Sequence, residues 1–567
     1  MKLFKSMFFV FIVSFLAFSG CATPDRTANL PPIQDFPQWD WSDVTTVYVW
    51  DAHEKPLDEV LFVQAIQGIT SREKPQVYMM FPRERDPYGL WLRQLQERHG
   101  FETVTVTNIW ELADIFRDRF TGYVLYPQAG TETKNFAATL AGVMDALPVS
   151  ARLRADAQRH GFRQVANAAN YRTVNQIIRA YGSRLNRTMF VNLIPGLSPL
   201  RDYGIKHRSL IVSPLDQAGL EVVYRFLEPN SSMFGWFSDE QGGEVIGVYG
   251  ASFFYVGTIP ADHAFNMSFL EDNRHSEHRV PEIIDRNLRA QPGKHYVAFV
   301  YSDGDNIQWM LSDFALNHAF AHPNTMQIPF GWTMPPTLAD RAPSVLDFIY
   351  GNARPWDNFV AGPSGYSYIH PSRFRNIDNL NRFGELTAQY MQRTGMHYVV
   401  VLDEHAPNPT AAVMNAFTRQ DQIRGIMYKT GNRYIGGRGF VRWSNGKPVV
   451  AFREALWNSR GDLWDAHVTD NDRKRDAYQM AFRLSQYTKD YTRIDGYTLV
   501  TVHAWSHGFE SIERIANWLR ANDPNVIIVT PATLMRLIAE NVPQVDAQPT
   551  QNWNDSWDYS SVRHLWN

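Results

Sequence analysis

Hydrophobic and polar positions divide the chain into two regions that differ in regularity. From Val44 to about Asn287, the apolar runs "TTVYVWD", "PQVYMMF" and "GYVLYP" predict strands, and the spacing of "PLDEVLFVQAIQGI" predicts a helix. After Pro292, apolar runs and amphipathic stretches such as "IDNLNRFGELTAQYMQRT" and "RKRDAYQMAFRLSQYT" alternate more regularly. The pattern predicts an α/β accessory domain over 42–291 and a catalytic α/β domain over 292–545.

The second domain is expected to contain a parallel sheet, because its apolar runs are continuous, as in strands buried on both faces. The runs are "HYVAFVYS", "QIPFGWT", "DNFVAG", "HYVVVLD", "IRGIMYK", "PVVAFRE", "YTLVTVHAW" and "NVIIVTP". Strand and helix units of this number, over roughly 250 residues, predict a closed (β/α) barrel. A distorted or incomplete barrel and an open doubly wound sheet are the alternatives, since "DNFVAG" and "IRGIMYK" are weak strands.

The first 21 residues have the pattern of a lipoprotein signal peptide. Lys2 and Lys5 precede an apolar run from Met7 to Phe18, and small residues lead to Cys21. The stretch "FSGC" is similar to a bacterial lipobox, in which cleavage leaves a lipidated cysteine; a plain signal peptide with an incidental cysteine is the alternative. Residues 22–41 are Pro-rich and predict a flexible linker. We therefore expect an exported cell-envelope lipoprotein, held at the membrane by lipid on Cys21.

Composition narrows the possible partners. The 567 residues are 44% hydrophobic and have a formal net charge of −3, with Lys and Arg spread along the chain. The basic footprint of a nucleic-acid-binding protein is therefore missing. Cys21 is the only cysteine, so no intrachain disulfide is expected despite export. Residues 546–567 are expected to form a C-terminal tail, and the oligomeric state stays open.

Polar and aromatic side chains follow the predicted strands of the second domain. In a (β/α) barrel the active site lies at the carboxyl ends of the strands, which makes these residues the candidates for chemistry. They are Asp303, Asp305, Asn306, Trp332, Asp403, Glu404, His405, Glu454, His503, Trp505 and His507. Carboxylates, imidazoles and rings together suit an acid/base site for a polar substrate. Individual members also have structural explanations, such as a helix cap for Asp305.

The third predicted strand of this domain runs into "GPSGYSYIHP", residues 362–371. Its glycines allow a ligand to approach the backbone closely, and Tyr366 and Tyr368 supply rings with hydroxyl tips. Gly365 and the two tyrosines resemble the motif that names the GxGYxYP family. The stretches "AIQGITSREKPQVYMM", "MFGWFSDEQ", "SDGDN" and "HAWS" are also similar to family segments. The resemblance covers nearly all of the chain after the signal and implies a glycoside hydrolase.

The leading hypothesis is carbohydrate hydrolysis. Cleavage of a glycosidic bond needs one carboxylic acid to protonate the leaving oxygen and one carboxylate as nucleophile or base. The expected pool for this pair is Asp305, Asp403, Glu404 and Glu454, with Asp305 facing Asp403 and Glu404 across the barrel. The expected substrate-binding residues are Asp303, Asn306, Trp332, Tyr366, Tyr368, His405, His503, Trp505 and His507. No cofactor or metal is expected for this mechanism.

Two other functions stay open. A metal-dependent carbohydrate deacetylase or hydrolase would bind zinc or a similar ion through Asp303 or Asp305 with His503 and His507. A non-catalytic surface protein would bind glycans at the acidic barrel mouth. In the glycosidase hypothesis, the aspartates share a cavity with Tyr366. The N-terminal domain supports the barrel, although "WFSDEQGG", residues 236–243, could reach its mouth.

Overall fold

The structure, a computed structural model, describes most of the chain after the predicted linker. The described residues are 39–81, 87–128, 130–213, 217–237, 247–271, 285–316, 320–458, 467–552 and 557–566. The predicted signal peptide, Cys21, most of the linker and residues 238–243 of "WFSDEQGG" lie outside them. Within these ranges, no helix has the length and apolar character needed to cross a membrane.

The N-terminal half is α/β, as the hydrophobic pattern predicts. Its strands are β1 (Thr46–Asp51), β2 (Val77–Met80), β3 (Glu102–Val106), β4 (Tyr123–Tyr126), β5 (Leu147–Ser150), β6 (Gln164–Asn167), β7 (Met189–Asn192), β8 (Leu210–Val212), β9 (Ser231–Gly235) and β10 (Val256–Ile259). Its helices are α1 (Leu57–Thr70), α2 (Tyr88–His99), α3 (Ile109–Ile115), α4 (Glu132–Met144), α5 (Arg154–Arg159), α6 (Val174–Tyr181), α7 (Arg201–Lys206), α8 (Gln217–Phe226), α9 (Gly247–Phe253) and α10 (Met267–Leu270). The strands form three small parallel sheets with the orders β2-β1-β3, β5-β4-β6 and β10-β9-β7-β8.

The stretch "AIQGITSREKPQVYMM" has a packing role in this half. Helix α1 is buried over most of its length and packs against α7. A Cβ on Gly68 would lie 2.3 Å from the Asp202 carbonyl oxygen, so only glycine allows the two helices to approach this closely. The Gln67 amide donates to the carbonyl oxygen of Val77 and to Asn266 Oδ1 (3.0 and 2.7 Å). These residues join α1 to neighbouring elements.

The C-terminal half contains one large sheet. Its strands are β11 (His295–Tyr301), β12 (Phe330–Met334), β13 (Asp357–Ala361), β14 (Tyr398–Leu402), β15 (Gly425–Lys429), β16 (Val441–Ser444), β17 (Lys447–Ala451), β18 (Glu454–Leu456), β19 (Tyr497–Val502) and β20 (Val526–Ile528). Its helices are α11 (Ile307–Met310), α12 (Asp313–Leu316), α13 (Leu338–Arg341), α14 (Pro343–Gly351), α15 (Ile377–Thr394), α16 (Ala411–Thr418), α17 (Asp470–Gln486), α18 (Phe509–Asn522) and α19 (Pro531–Asn541). All eight predicted strands are present, and β16 and β18 are additional.

The large sheet is parallel except for the β16–β17 hairpin, in agreement with the predicted α/β class. Its order is β16-β17-β15-β14-β13-β12-β11-β19-β18, and β20 pairs with β11. This order has β16 and β18 at its two ends and does not by itself establish the predicted closed barrel. Only Phe452 and Arg453 separate β17 from β18 along the chain.

The two faces of the large sheet are both buried, which explains its continuous apolar runs. One face packs against α19 and is called the α19 face. It includes Ala298, Val300, Val400, Met427 and Leu499. The alternate residues Phe299, Val401, Ile426 and Val500 belong to the core on the other face. Because side chains alternate along a strand, Lys429 lies on the α19 face, two residues after Met427.

Candidate functional site

Four titratable side chains come together at the carboxyl ends of β11, β15 and β19. They are Asp303, Asp305, Lys429 and His503, and are called the strand-end cluster. Burial lowers the pKa of Lys429 to about 8, while the negative charges of Asp303 and Asp305 act in the opposite direction. Burial also lowers the pKa of His503 to about 4, opposed by Asp303 and reinforced by His507 and Lys429. Lys429 therefore lies within electrostatic range of the other three groups.

The turn after β11 holds Asp303 in an unusual backbone conformation. Its φ is 61°, in the left-handed region that Asp adopts more readily than most residues. The Ser302 hydroxyl donates to Asp303 Oδ2 (2.7 Å) and accepts from the Ala504 N–H (3.0 Å). Ser302 therefore fixes the Asp303 carboxylate and joins the ends of β11 and β19.

The remaining residues of "SDGDN" also have defined local roles. The Gly304 N–H donates to Thr333 Oγ1 (2.9 Å), and a Cβ at this position would lie 2.0 Å from the Thr333 carbonyl oxygen. The cap of α11 is Asn306, whose side-chain oxygen accepts from the Trp309 N–H (3.1 Å). The helix cap considered for Asp305 is therefore provided by its neighbour. Asp305 itself is 8% exposed.

Lys429 is a member of the cluster that the sequence reasoning missed. It is fully buried, and its Nζ makes no hydrogen bond within the described part of the chain. The ammonium lies 4.9 Å from the ring centroid of Tyr434 and 5.3 Å from that of Phe452. The sequence signal for this residue was a lysine at the end of the apolar run "GIMYK". A lysine buried with such a run normally has a charged partner nearby.

His503 is held in a fixed orientation beside an aromatic ring. Its Nδ1 lies 2.8 Å from Ser506 Oγ, and its ring stacks on Trp457 with centroids 3.6 Å apart and planes at 9°. Tyr434 contacts the same tryptophan edge-on at 5.3 Å. With its pKa near 4, His503 is neutral at neutral pH. Trp457 was also missed, because it follows β18, a strand that was not predicted.

Asp403 and Glu404 follow β14 and differ in surroundings. Asp403 is fully buried and accepts hydrogen bonds from the Ser372 hydroxyl and N–H (2.7 and 3.2 Å). Burial raises the pKa of Asp403 to about 6, although the bonds from Ser372 and one from Tyr428 lower it. Glu404 is half-buried, and burial raises its pKa while His405 lowers it. Asp403 is thus engaged by the segment after β13, and Glu404 retains some solvent exposure.

Glu454 contacts the helix side of the sheet. Its carboxylate forms a buried ion pair with Arg483 of α17 at 3.0 Å and accepts a hydrogen bond from the Tyr487 hydroxyl. Glu454 is in register with Val500, which belongs to the face opposite α19. Glu454 is therefore engaged on the face of the sheet opposite Lys429.

The two signature tyrosines contact the N-terminal half. The Tyr366 hydroxyl donates to the Asn230 carbonyl oxygen (2.9 Å), and its ring packs on Phe383 at 4.6 Å. Tyr368 exchanges two backbone hydrogen bonds with Thr258 of β10, both 2.9 Å. Both side chains are at most 5% exposed. The loop 362–371 thus joins the two halves, and these contacts do not place Tyr366 beside Asp303 and Asp305.

The two predicted substrate-binding tryptophans differ in burial. Trp332 is fully buried, its Nε1 donates to Asp357 Oδ1 (2.9 Å), and its ring packs on Phe330 at 4.5 Å. Trp505 is half-buried and packs on Trp309 at 5.2 Å. Trp332 is therefore a packing residue, whereas Trp505, within "HAWS", stays partly exposed.

The histidines of the metal hypothesis have different neighbours. His507 Nδ1 lies 3.0 Å from Ser511 Oγ, and its Nε2 lies 3.5 Å from Asp476 Oδ2 on α17. His503 instead contacts Ser506 and Trp457. Across the described ranges, no group of three or more His, Cys, Asp or Glu side chains has the arrangement of a metal site.

Three family models match the chain. They are the "GxGYxYP putative glycoside hydrolase C-terminal domain" over residues 293–539, the "GxGYxYP_N 1st domain" over 46–118 and the "GxGYxYP third domain" over 188–271. The chain belongs to the GxGYxYP family. Within this GxGYxYP protein, the C-terminal match contains the whole strand-end cluster and the loop 362–371.

A solved structure shares the fold of this GxGYxYP protein. It is the crystal structure of a "putative hydrolase" from Bacteroides thetaiotaomicron VPI-5482, with a TM-score of 0.76 and 23% identity. The similarity covers 88% of this chain and 95% of the other. No curated protein matches the sequence.

The N-terminal half of this GxGYxYP protein reaches the edge of the sheet near Glu404. Tyr249 of α9 contacts the exposed His405 edge-on, with ring centroids 4.7 Å apart. The Arg373 guanidinium lies 3.7 Å from the centroid of the same tyrosine. The sequence did not identify Tyr249 as a candidate, because only the fold brings α9 beside β14.

Proposed function

We propose that this protein is a glycoside hydrolase whose reaction centre is the strand-end cluster. The observation that carries the proposal is the fully buried Lys429, which has no hydrogen bond to the described residues and faces two aspartates at the carboxyl edge of a parallel sheet. Carboxyl edges of parallel strands are where α/β enzymes bind their ligands. The family's description as a glycoside hydrolase supports the same reaction class.

The charges around Lys429 suggest the role of the aspartates. Asp303 and Asp305 act on Lys429 as negative charges, the form in which a carboxylate serves as nucleophile or base. Asp305 is the proposed nucleophile or base, and Asp303 binds substrate hydroxyls. Glu404 is the proposed acid, because burial raises its pKa and it remains partly exposed. These assignments give the two carboxyl roles that glycoside hydrolysis requires.

Neutral and aromatic groups complete the proposed site. A neutral His503 can exchange hydrogen bonds with sugar hydroxyls, since one ring nitrogen accepts while the other donates. Trp457 and Trp505 are half-buried and offer ring surface to the apolar face of a sugar. Asp403, Glu454, Trp332, Tyr366 and Tyr368 are left out of the proposed centre because other contacts engage them.

A closed barrel is the proposed architecture of the large sheet. The Phe452 N–H donates to the Tyr428 carbonyl oxygen of β15 (3.1 Å), and the next N–H, of Arg453, donates to Leu499 of β19 (3.0 Å). One continuous segment thus hydrogen-bonds to both β15 and β19. An experimental structure in which this segment lacks either hydrogen bond would contradict closure.

Export and lipid attachment at Cys21 also remain proposals, based on the sequence of the first 21 residues. A Cys21→Ser chain should lose incorporation of labelled fatty acid and should be released from membranes. Equal labelling of both chains would contradict lipidation at this cysteine.

The test of the function is a screen of the mature protein, from residue 22 onward, against a panel of polysaccharides with and without a chelator. Sugar release that persists with chelator supports the carboxylate mechanism, and release that stops supports the metal-dependent alternative. A Glu404→Gln protein should retain activity on aryl glycosides with good leaving groups, which need no acid. Absence of release from every glycan would favour a glycan-binding protein.

A further inference from the structure

A polar cavity borders Trp457, the tryptophan that stacks on His503 of the strand-end cluster. It is lined by residues of β18, the loop after β15, α17 and Tyr559 of the C-terminal segment, and is called the α17 cavity. The volume that the centre of a water molecule can occupy in this cavity is about 140 Å³. At roughly 10 to 15 Å³ of such space per water, it holds about ten waters, or about 300 Å³ of liquid. That size lies at the lower end of small-molecule sites and suits one sugar ring.

Trp457 connects the α17 cavity to the strand-end cluster. The tryptophan lines the cavity and stacks on His503, the imidazole of the cluster. It is half-buried and therefore presents ring surface. A ligand in the cavity would thus lie one aromatic ring away from the proposed reaction centre.

The walls of the α17 cavity are charged but balanced. Among the residues that the structure describes, two arginines, Arg433 and Arg483, and two carboxylates, Glu454 and Asp476, line it. Glu454 and Arg483 pair with each other at 3.0 Å while almost fully buried. A buried ion pair is weak evidence for stability, because desolvation offsets much of its attraction. Equal numbers of opposite charges favour an uncharged polar ligand over an anion or a cation.

We propose that the α17 cavity binds a second, neutral sugar unit of the substrate, which makes the substrate a neutral oligosaccharide or polysaccharide chain. The inference rests on the proposed glycoside hydrolase function. Planar polar side chains such as Gln479 and Asp476 match the hydroxyls of a sugar, and the exposed part of Trp457 matches its apolar face.

The test measures how two variants of α17 hydrolyse substrates of different chain length. Gln479→Ala removes a polar group from the cavity, and Gln479→Trp fills it. Gln486→Ala, at the end of the same helix but outside the cavity, is the matched control. Substrates are nitrophenyl glycosides of glucose and xylose, and the nitrophenyl tetraoses of the cellulose, starch and xylan series.

The wild-type protein should hydrolyse one tetraose with kcat/KM at least tenfold above that of its monosaccharide glycoside. Gln479→Ala should lower only the tetraose value, by roughly 2- to 10-fold, the effect of one hydrogen bond. Gln479→Trp should lower it further, and Gln486→Ala should leave it unchanged. Equal losses on short and long substrates, or no dependence on chain length, would overturn the proposal.

A binding measurement separates this inference from the proposed function. Titration calorimetry of Asp305→Asn with cellotetraose, maltotetraose and xylotetraose, and with their monosaccharides, needs no turnover. Tighter binding of one tetraose, weakened by adding Gln479→Ala, supports the second sugar site even if the wild-type protein hydrolyses nothing. If no tetraose binds more tightly than its monosaccharide, the second sugar site is wrong, whatever the hydrolysis screen shows.

Discussion

The strand-end cluster and the signature loop 362–371 show opposite physical states. In the cluster, Lys429 is fully buried and its Nζ has no hydrogen bond to a described residue. In the loop, Tyr366 and Tyr368 are equally buried, but the hydroxyl of Tyr366 and the backbone of Tyr368 are hydrogen-bonded to the N-terminal half. An unsatisfied buried charge is costly unless something binds it, whereas hydrogen bonds between the loop and the N-terminal half stabilise the fold. We therefore expect the signature loop to contribute to stability rather than to chemistry.

The largest expected effect is at Asp305. Asp305→Asn keeps the shape of the side chain but removes its charge, so kcat should fall by roughly 100- to 10,000-fold, the size of an acid/base contribution. Circular dichroism and the thermal midpoint should remain close to wild type.

The matched control is Asp357→Asn, the same change of carboxylate to amide in the ion pair of the buried Asp357 with Arg354. Loss of one partner from a buried pair destabilises by about 3 to 5 kcal/mol. The folded fraction of this variant should turn over substrate normally. Wild-type turnover by Asp305→Asn would remove Asp305 from the mechanism.

Lys429 should have the next largest effect. Lys429→Met removes the positive charge beside Asp303 and Asp305, and we expect kcat/KM to fall by roughly 100-fold, as for other preorganised electrostatic groups. Since the pKa of Lys429 is about 8, wild-type kcat/KM should decline as the pH rises through 8, and this decline should be absent in the variant.

Lys447→Met on the neighbouring β17 is the control, because Lys447 donates to the Gln420 carbonyl oxygen away from the cluster. It should keep the wild-type pH profile. The same decline above pH 8 in Lys429→Met would show that another group causes it.

Which of these features the sequence could predict depends on how local their causes are. Parallel strands were predictable, because burial on both faces leaves continuous apolar runs. Asp303 and Asp305 could be named as candidates because they directly follow a strand, and the carboxyl ends of parallel strands lie at one edge of the sheet. The orientation of Glu454 was not predictable, since the strand changes partners at Phe452 and Arg453, and only long-range pairing decides which face Glu454 joins. No sequence motif marked Lys429 as a site residue, because the aspartates near it follow a different strand, β11.

The signature loop should respond in stability rather than in catalysis. Tyr366→Phe leaves the part-buried Asn230 carbonyl oxygen without its donor, which costs about 1 kcal/mol of unfolding free energy, the typical net contribution of one hydrogen bond. Chemical denaturation should detect this loss, while kcat/KM per folded molecule stays within about twofold of wild type. A large fall in kcat with unchanged stability would instead assign Tyr366 to the reaction.

The smallest expected effect is the pH dependence contributed by His503. Its pKa is about 4 in the folded protein against an ordinary value of 6.5, so the unfolded chain binds a proton more readily between these values. The resulting stability is present above pH 6.5 and is lost as the pH falls toward 4. Between pH 6.5 and 5.5, the wild-type protein should lose about 1 kcal/mol relative to His503→Gln. Parallel stability curves for the two proteins would contradict this assignment.

The bridge between Tyr368 and β10 constrains how members of this family can be recombined. Gly257, beside Thr258, packs so closely on the loop that a Cβ there would lie 1.9 Å from Ser367 Oγ. A chimera that takes its first half from one relative and its second half from another must therefore inherit both sides of this contact together. A crossover near Pro292, the boundary suggested by chain order, would separate Gly257 from Ser367. The crossover should therefore lie before Gly257 or after Ser367.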